Sequence, residues 1–149
     1  MRFSLILLLF TFLLFSCATN QKSSIGQNDL QEEALVRQTI ELYFDGWRNC
    51  QSEKIGQAMH TTCQLKNIKA DGIDGVAVYD RETYLGFIKP APPRAAKTRI
   101  LYIDITREIA SAKCQIELAD RLYTDYFNMM KIDGRWYIVD KAAINWEKE

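Results

Sequence analysis

The chain has 149 residues, with 19 lysines and arginines against 19 aspartates and glutamates, one histidine, four cysteines and a formal net charge of zero. That balance removes the electrostatic drive toward nucleic acid or an anionic membrane surface. With no basic cluster, glycine-rich phosphate loop or zinc-like cysteine spacing, and a lone histidine, the sequence predicts neither metal nor cofactor and no nucleic-acid partner.

Arg2 is the only charge in the first sixteen residues, and Leu5 to Phe15 form an unbroken run with no charged residue. The run is too short for the roughly 20 apolar residues of a bilayer span. Leu14-Phe15-Ser16-Cys17 resembles a bacterial lipobox. The resemblance implies cleavage before Cys17, lipid on the Cys17 sulfur and firm anchoring, since several acyl chains hold far better than one. The expected location is the bacterial cell envelope, on the outer membrane facing the periplasm if the source is Gram-negative. An ordinary signal peptide cut near Ala18, or a short anchor, is the alternative. Residues 1–16 are thus expected to be a signal, 17–28 the lipidated cysteine with a polar, flexible tether, and 29–149 a single domain. With Cys17 committed, Cys50, Cys63 and Cys114 remain. Cys50 and Cys63 flank one short helix and could bridge if their Cα atoms approach to about 4.4–6.8 Å.

A first helix is predicted to start at Asp29, a capping residue followed by Glu32 and Glu33. Val36, Ile40, Tyr43, Phe44 and Trp47 then make one apolar stripe. A second, shorter helix from Ser52 carries Ile55, Ala58 and Met59, with His60 at its end. Cys63 to Ile68 reads as a strand, Asp71-Gly72 as a turn, and Val76 to Tyr79 as another strand. Asp80 to Ile88 reads as a small helix, stopped by Lys89 to Arg94 with its three prolines.

The last third alternates with period two. A tight turn at Arg107-Glu108 pairs Ile103 with Ala112 and Leu101 with Cys114 on a dry face, and Asp104 with Ser111 and Tyr102 with Lys113 on a wet one. Asp133-Gly134 is a strong hairpin signal. Its two-residue register puts Asp125 opposite Ala142 and Tyr126 opposite Lys141.

The helix–helix–strand–strand–helix–hairpin order is α+β. Glu41 to Trp47, Ala110 to Lys113, Tyr123 to Phe127 and Lys131 to Val139 resemble the nuclear transport factor 2-like superfamily, and within it the lumazine-binding branch with its SnoaL-like relatives. The similarity spans about residues 29–145. It implies a cone-shaped, cystatin-like curved antiparallel sheet wrapped around the N-terminal helices, a small apolar or aromatic ligand, and a homodimer formed through the sheet. Relatives follow the second helix with His-Pro-Asp-Ala. Here the stretch reads His60-Thr61-Thr62-Cys63, and the missing acid weakens an isomerase-like proton transfer.

The candidate catalytic groups are Asp125 and His60. Asp125 lies mid-strand between aromatics and matches a recurring position of the family. It can serve as a base, as a polar anchor raised in pKa by burial, or as a structural partner of Lys131. His60 is a lone acid or base, or a structural donor. Tyr43, Trp47, Tyr126 and Trp136 form either an aromatic cradle for a flat ligand or plain core. No Ser-His-Asp constellation can be assembled. The leading expectation is a noncatalytic envelope lipoprotein that binds a small molecule in its cone. A cyclase- or dehydratase-type enzyme and a protein-interaction module are the alternatives.

Overall fold

The structure is a computed structural model that describes residues 20–68 and 75–148, with side chains from residue 28 onward. The lipobox, Cys17 and the Asp71-Gly72 turn lie outside the described residues. Helix α1 spans Asn20–Arg48. It begins well before Asp29, so residues expected to form a flexible tether have helical backbone. No proline interrupts them, and each residue added to a nucleated helix gains a backbone hydrogen bond. Val36, Ile40, Tyr43 and Phe44 on its stripe are fully buried.

The helix ends in two reversed bonds, Gln51 N–H to Gly46 O at 2.8 Å and Cys50 N–H to Trp47 O at 3.4 Å. Cys50 takes the left-handed position, φ 55°, that glycine usually fills. Helix α2, Ser52–Ala58, then crosses α1 at Gly46. A Cβ there would lie 2.8 Å from Ile55 N and 2.9 Å from Ile55 Cγ1. Gly46→Ala is therefore expected to destabilise the fold by about 1–3 kcal/mol in urea denaturation, although alanine is the better helix former.

Strand β1, Met59–Ile68, follows α2 without a loop, so His60 sits on a strand and not at a helix end. Next come β2 (Val76–Asp80) and α3 (Arg81–Phe87). Helix α3 is capped by the Asp80 side chain, which accepts from Thr83 N–H at 2.7 Å. Strands β3 (Lys97–Thr106), β4 (Ile109–Glu117), β5 (Arg121–Ile132) and β6 (Arg135–Glu147) complete the chain. The six strands form one sheet in the order β2-β1-β6-β5-β4-β3. All neighbours are antiparallel except β1 and β6, which run parallel. The fold is α+β, as the sequence predicts, with the core between the helices and one face of the sheet.

The predicted registers hold beside each turn and slip beyond it. Tyr102, Ile103 and Asp104 pair with Lys113, Ala112 and Ser111. A bulge then sets Ile100, not Leu101, opposite Cys114, and Leu101 is exposed. The second hairpin turns at Asp133 and Gly134, φ 50° and 78°, and pairs Met129 with Ile138 as expected. A second irregularity inserts Val139. Beyond it Tyr126 faces Ala142, Asp125 faces Ala143 and Phe127 faces Lys141. The extra residue turns Lys141 from the outer to the inner face of the sheet.

Candidate ligand-binding site

The bulge at Val139 brings two charges together inside the fold. Asp125 on β5 is 1% exposed and Lys141 on β6 is 5% exposed, with Lys141 Nζ 3.1 Å from Asp125 Oδ2. The contact is an ion pair, and neither carboxylate oxygen is matched by a well-aligned hydrogen-bond donor. Lys141 Nζ instead donates to Tyr43 Oη at 2.6 Å, and Tyr43 Oη lies 2.6 Å from Tyr84 Oη. Nζ also stands 5.0 Å from the Tyr43 ring centroid and 5.3 Å from that of Tyr84, within reach of both π-faces. Phe127 closes the cluster, edge-on to Tyr43 at 5.1 Å.

Burial raises the Asp125 carboxyl above its ordinary range, against the pull of Lys141. Burial alone would lower Lys141, but the Asp125 carboxylate, with smaller help from Tyr84, outweighs it and holds the ammonium above the usual lysine value. Tyr43 is pushed well up by burial and by its neighbours Tyr84 and Asp125, so it stays protonated. The Cys63 and Cys114 thiols are both pushed up to about 12, chiefly by burial, which makes them poor nucleophiles. Cys50, Cys63 and Cys114 are all free. The bridge left open between Cys50 and Cys63 is not formed.

The residues singled out in the sequence do not converge. His60 stacks edge-on against Tyr137 at 5.8 Å and bonds Thr62 Oγ1 through Nδ1 at 2.8 Å. Tyr137 belongs to the outer register row with Met130, so His60 and Asp125 lie on opposite faces. Tyr126 is 45% exposed on the outer face, beneath the Lys113 ammonium. Trp47 packs edge-on against Tyr123, with the Arg94 guanidinium 4.2 Å over its ring. Trp136 lies near the other end of α1, its Nε1–H donating to Glu32 Oε2 at 2.9 Å. Of the four aromatics only Tyr43 reaches the Asp125 cluster. Lys131, expected beside Asp125, donates to Glu32 Oε1 at 2.6 Å instead.

Glu32 thus joins β5 and β6 to α1, and the bonds from Lys131 and Trp136 hold its carboxyl below the ordinary 4.5. A depressed carboxylate contributes stability that is present above its unfolded pKa and is lost as pH falls through the folded value. In urea titrations the stability gap between wild type and Glu32→Gln should therefore shrink as pH drops below about 4.5.

Among the described residues two surface depressions stand out. One, of about 570 Å³, lies between α2 and α3 beside Gly56, Arg81 and Leu85. The other, of about 480 Å³, lies by the start of α1, between Glu32, Glu108 and Lys131. Neither is lined by the Asp125 cluster. Among the described residues no cluster of three or more His, Cys, Asp or Glu could hold a metal ion, and no helix is long and apolar enough to cross a membrane.

A family model described as "Putative lumazine-binding" matches residues 31–142, which takes in α1 from its buried stripe through the bulge that places Lys141. The chain belongs to that family. Among curated proteins none matches. Among solved structures, this member of the lumazine-binding family is similar to a nuclear transport factor 2-like protein of unknown function from Shewanella baltica OS155. Identity is 22%, the match covers 80% of this chain and 97% of that one, and the TM-score is 0.73. A "Putative Scytalone Dehydratase" from Novosphingobium aromaticivorans is 12% identical over 83% of this chain and 92% of that one, TM-score 0.64. The association domain of C. elegans CaMKII is 16% identical over 77% and 95%, TM-score 0.57. At these identities the likeness shows the nuclear transport factor 2-like fold alone.

Sequence reasoning passed over Lys141 and Tyr84. Nothing in the apolar run from Trp136 to Val139 singles out Val139 as the extra residue, so the sequence carries no signal for Lys141. Tyr84 gave none, since an apolar-faced tyrosine on a short helix reads as core.

Proposed function

We propose that this domain is a noncatalytic small-molecule binder of the bacterial cell envelope, anchored through lipid on Cys17, with Asp125, Lys141, Tyr43 and Tyr84 as its polar anchor. One observation carries the reading. A carboxylate almost wholly out of water keeps two oxygens with no hydrogen bond, where an apolar residue of similar size would usually serve stability as well or better. Unspent acceptor capacity beside a cation and aromatic faces suits a flat, polar heterocycle with N–H donors, and lumazine, named in the family's description, is of that kind. Tyr84 reaches the cluster from the seven-residue helix α3. The alternative of an enzyme using Asp125 or His60 as acid or base has the two groups on opposite faces of the sheet, so they cannot act together.

The dimer belongs to the same proposal. The outer face bares Tyr102, Tyr126, Met130, Ile144 and Trp146, each more than 40% exposed, on the side the helices leave uncovered. An apolar sheet face of this kind suits a second copy of the chain. Native mass spectrometry of residues 18–149 tests both parts. The expected spectrum shows twice the subunit mass, with a reproducible small-molecule increment per subunit. Empty monomers would count against the proposal.

A further inference from the structure

The hydrogen bonds around Lys141 have a direction. An ammonium has only donors to offer, so Tyr43 Oη accepts from Lys141 Nζ. Tyr43 is fully buried, and its own proton needs an acceptor, since a buried donor left unmade is costly. The Asp125 oxygens accept no bond. Tyr84 Oη, at 2.6 Å, is the acceptor in reach. The chain therefore runs from Lys141 through Tyr43 to Tyr84, and it leaves the Tyr84 hydroxyl proton without an acceptor among the described residues. Tyr84 is 7% exposed, so that proton is little served by solvent. A donor fed by two further donors, the first of them a cation, is also polarised along the chain.

We infer that the Tyr84 hydroxyl is the outgoing donor of the interior site, and that it takes a carbonyl or oxyanion oxygen of the ligand. Lys141 and Tyr43 are positioning residues that aim it. The inference rests on the interior being a ligand site, and it adds a requirement for an acceptor oxygen to the N–H donors suited to Asp125. A ligand with donors alone would leave Tyr84 unpaired.

Two arms on the full-length protein test it. In the unliganded protein, proton NMR should show a slowly exchanging tyrosine hydroxyl whose nuclear Overhauser contact is to the Tyr43 ring as its parent. Assignment of that proton to Tyr84 would overturn the direction. In the second arm, lumazine is titrated by fluorescence. Tyr84→Phe should weaken lumazine about tenfold, the scale of one hydrogen bond. Tyr43→Phe should weaken lumazine severalfold as the aim is lost. Equal lumazine affinity in wild type and Tyr84→Phe would overturn the inference. No binding of lumazine to wild type would count against the interior as a site for such heterocycles, while the NMR arm would still decide the donor direction.

Discussion

Lys141→Met is expected to cost about 3–5 kcal/mol in chemical denaturation, or to prevent folding outright, because it leaves the Asp125 carboxylate buried with no counter-charge. The nearest alternatives for that carboxylate are apolar: Phe127 and Cys114 beside it on the inner face are fully buried. Removing both charges should behave differently. Asp125→Leu with Lys141→Met deletes the ion pair and its desolvation together, and should recover most of the single variant's loss. Additive costs in the double variant would show that the two residues act separately and would remove the ion pair from the account.

Trp136→Ala is expected to cost a further-reaching 3–5 kcal/mol, the usual range of about that size for emptying a large aromatic from a packed core. The indole is 1% exposed and also donates to Glu32, which in turn holds Lys131. The truncation therefore opens a void and unfastens α1 from β6 at once. Trp136→Phe should recover much of the packing but not the bond. If the two variants were equally destabilised, the link to Glu32 and not the buried volume would dominate. Urea denaturation of both variants at neutral pH measures the split.

Most of the architecture was legible because its signals are local. The stripe from Val36 to Trp47, the capping Asp80 and the Asp133-Gly134 turn each act within a few residues of themselves, and each of these elements contains its pattern, although α1 begins earlier, at Asn20. The registers were legible only as far as the first irregularity. A period-two pattern counts residues, and it cannot see one that bulges out of the ladder. Val139 is such a residue, and its insertion changed the face of everything beyond it on β6.

The candidate site fell on that blind spot. Asp125 lies on β5, whose alternation is unbroken, and it was legible. Its partner Lys141 lies past the bulge and read as a polar partner of Tyr126, on the face away from Asp125. Tyr126, Trp47 and Trp136 were grouped with Tyr43 because aromatic composition suggests a cradle. Composition does not say which end of a helix or which face of a sheet a ring occupies. The cluster that formed is more polar than the one expected, and it draws on α1, α3, β5 and β6, elements far apart in the sequence.

On the proposed reading the Asp125 carboxylate is kept in the interior to receive a ligand. A fluorescence titration of lumazine into wild type and Asp125→Asn tests it most directly, with denaturation of each variant run alongside to show that the fold persists. The account predicts saturable binding to wild type and a loss of about tenfold or more in the variant, since an amide can accept as carboxylate does but without its charge. Binding of equal strength in a folded Asp125→Asn protein would contradict it, and would return Asp125 to a structural role beside Lys141.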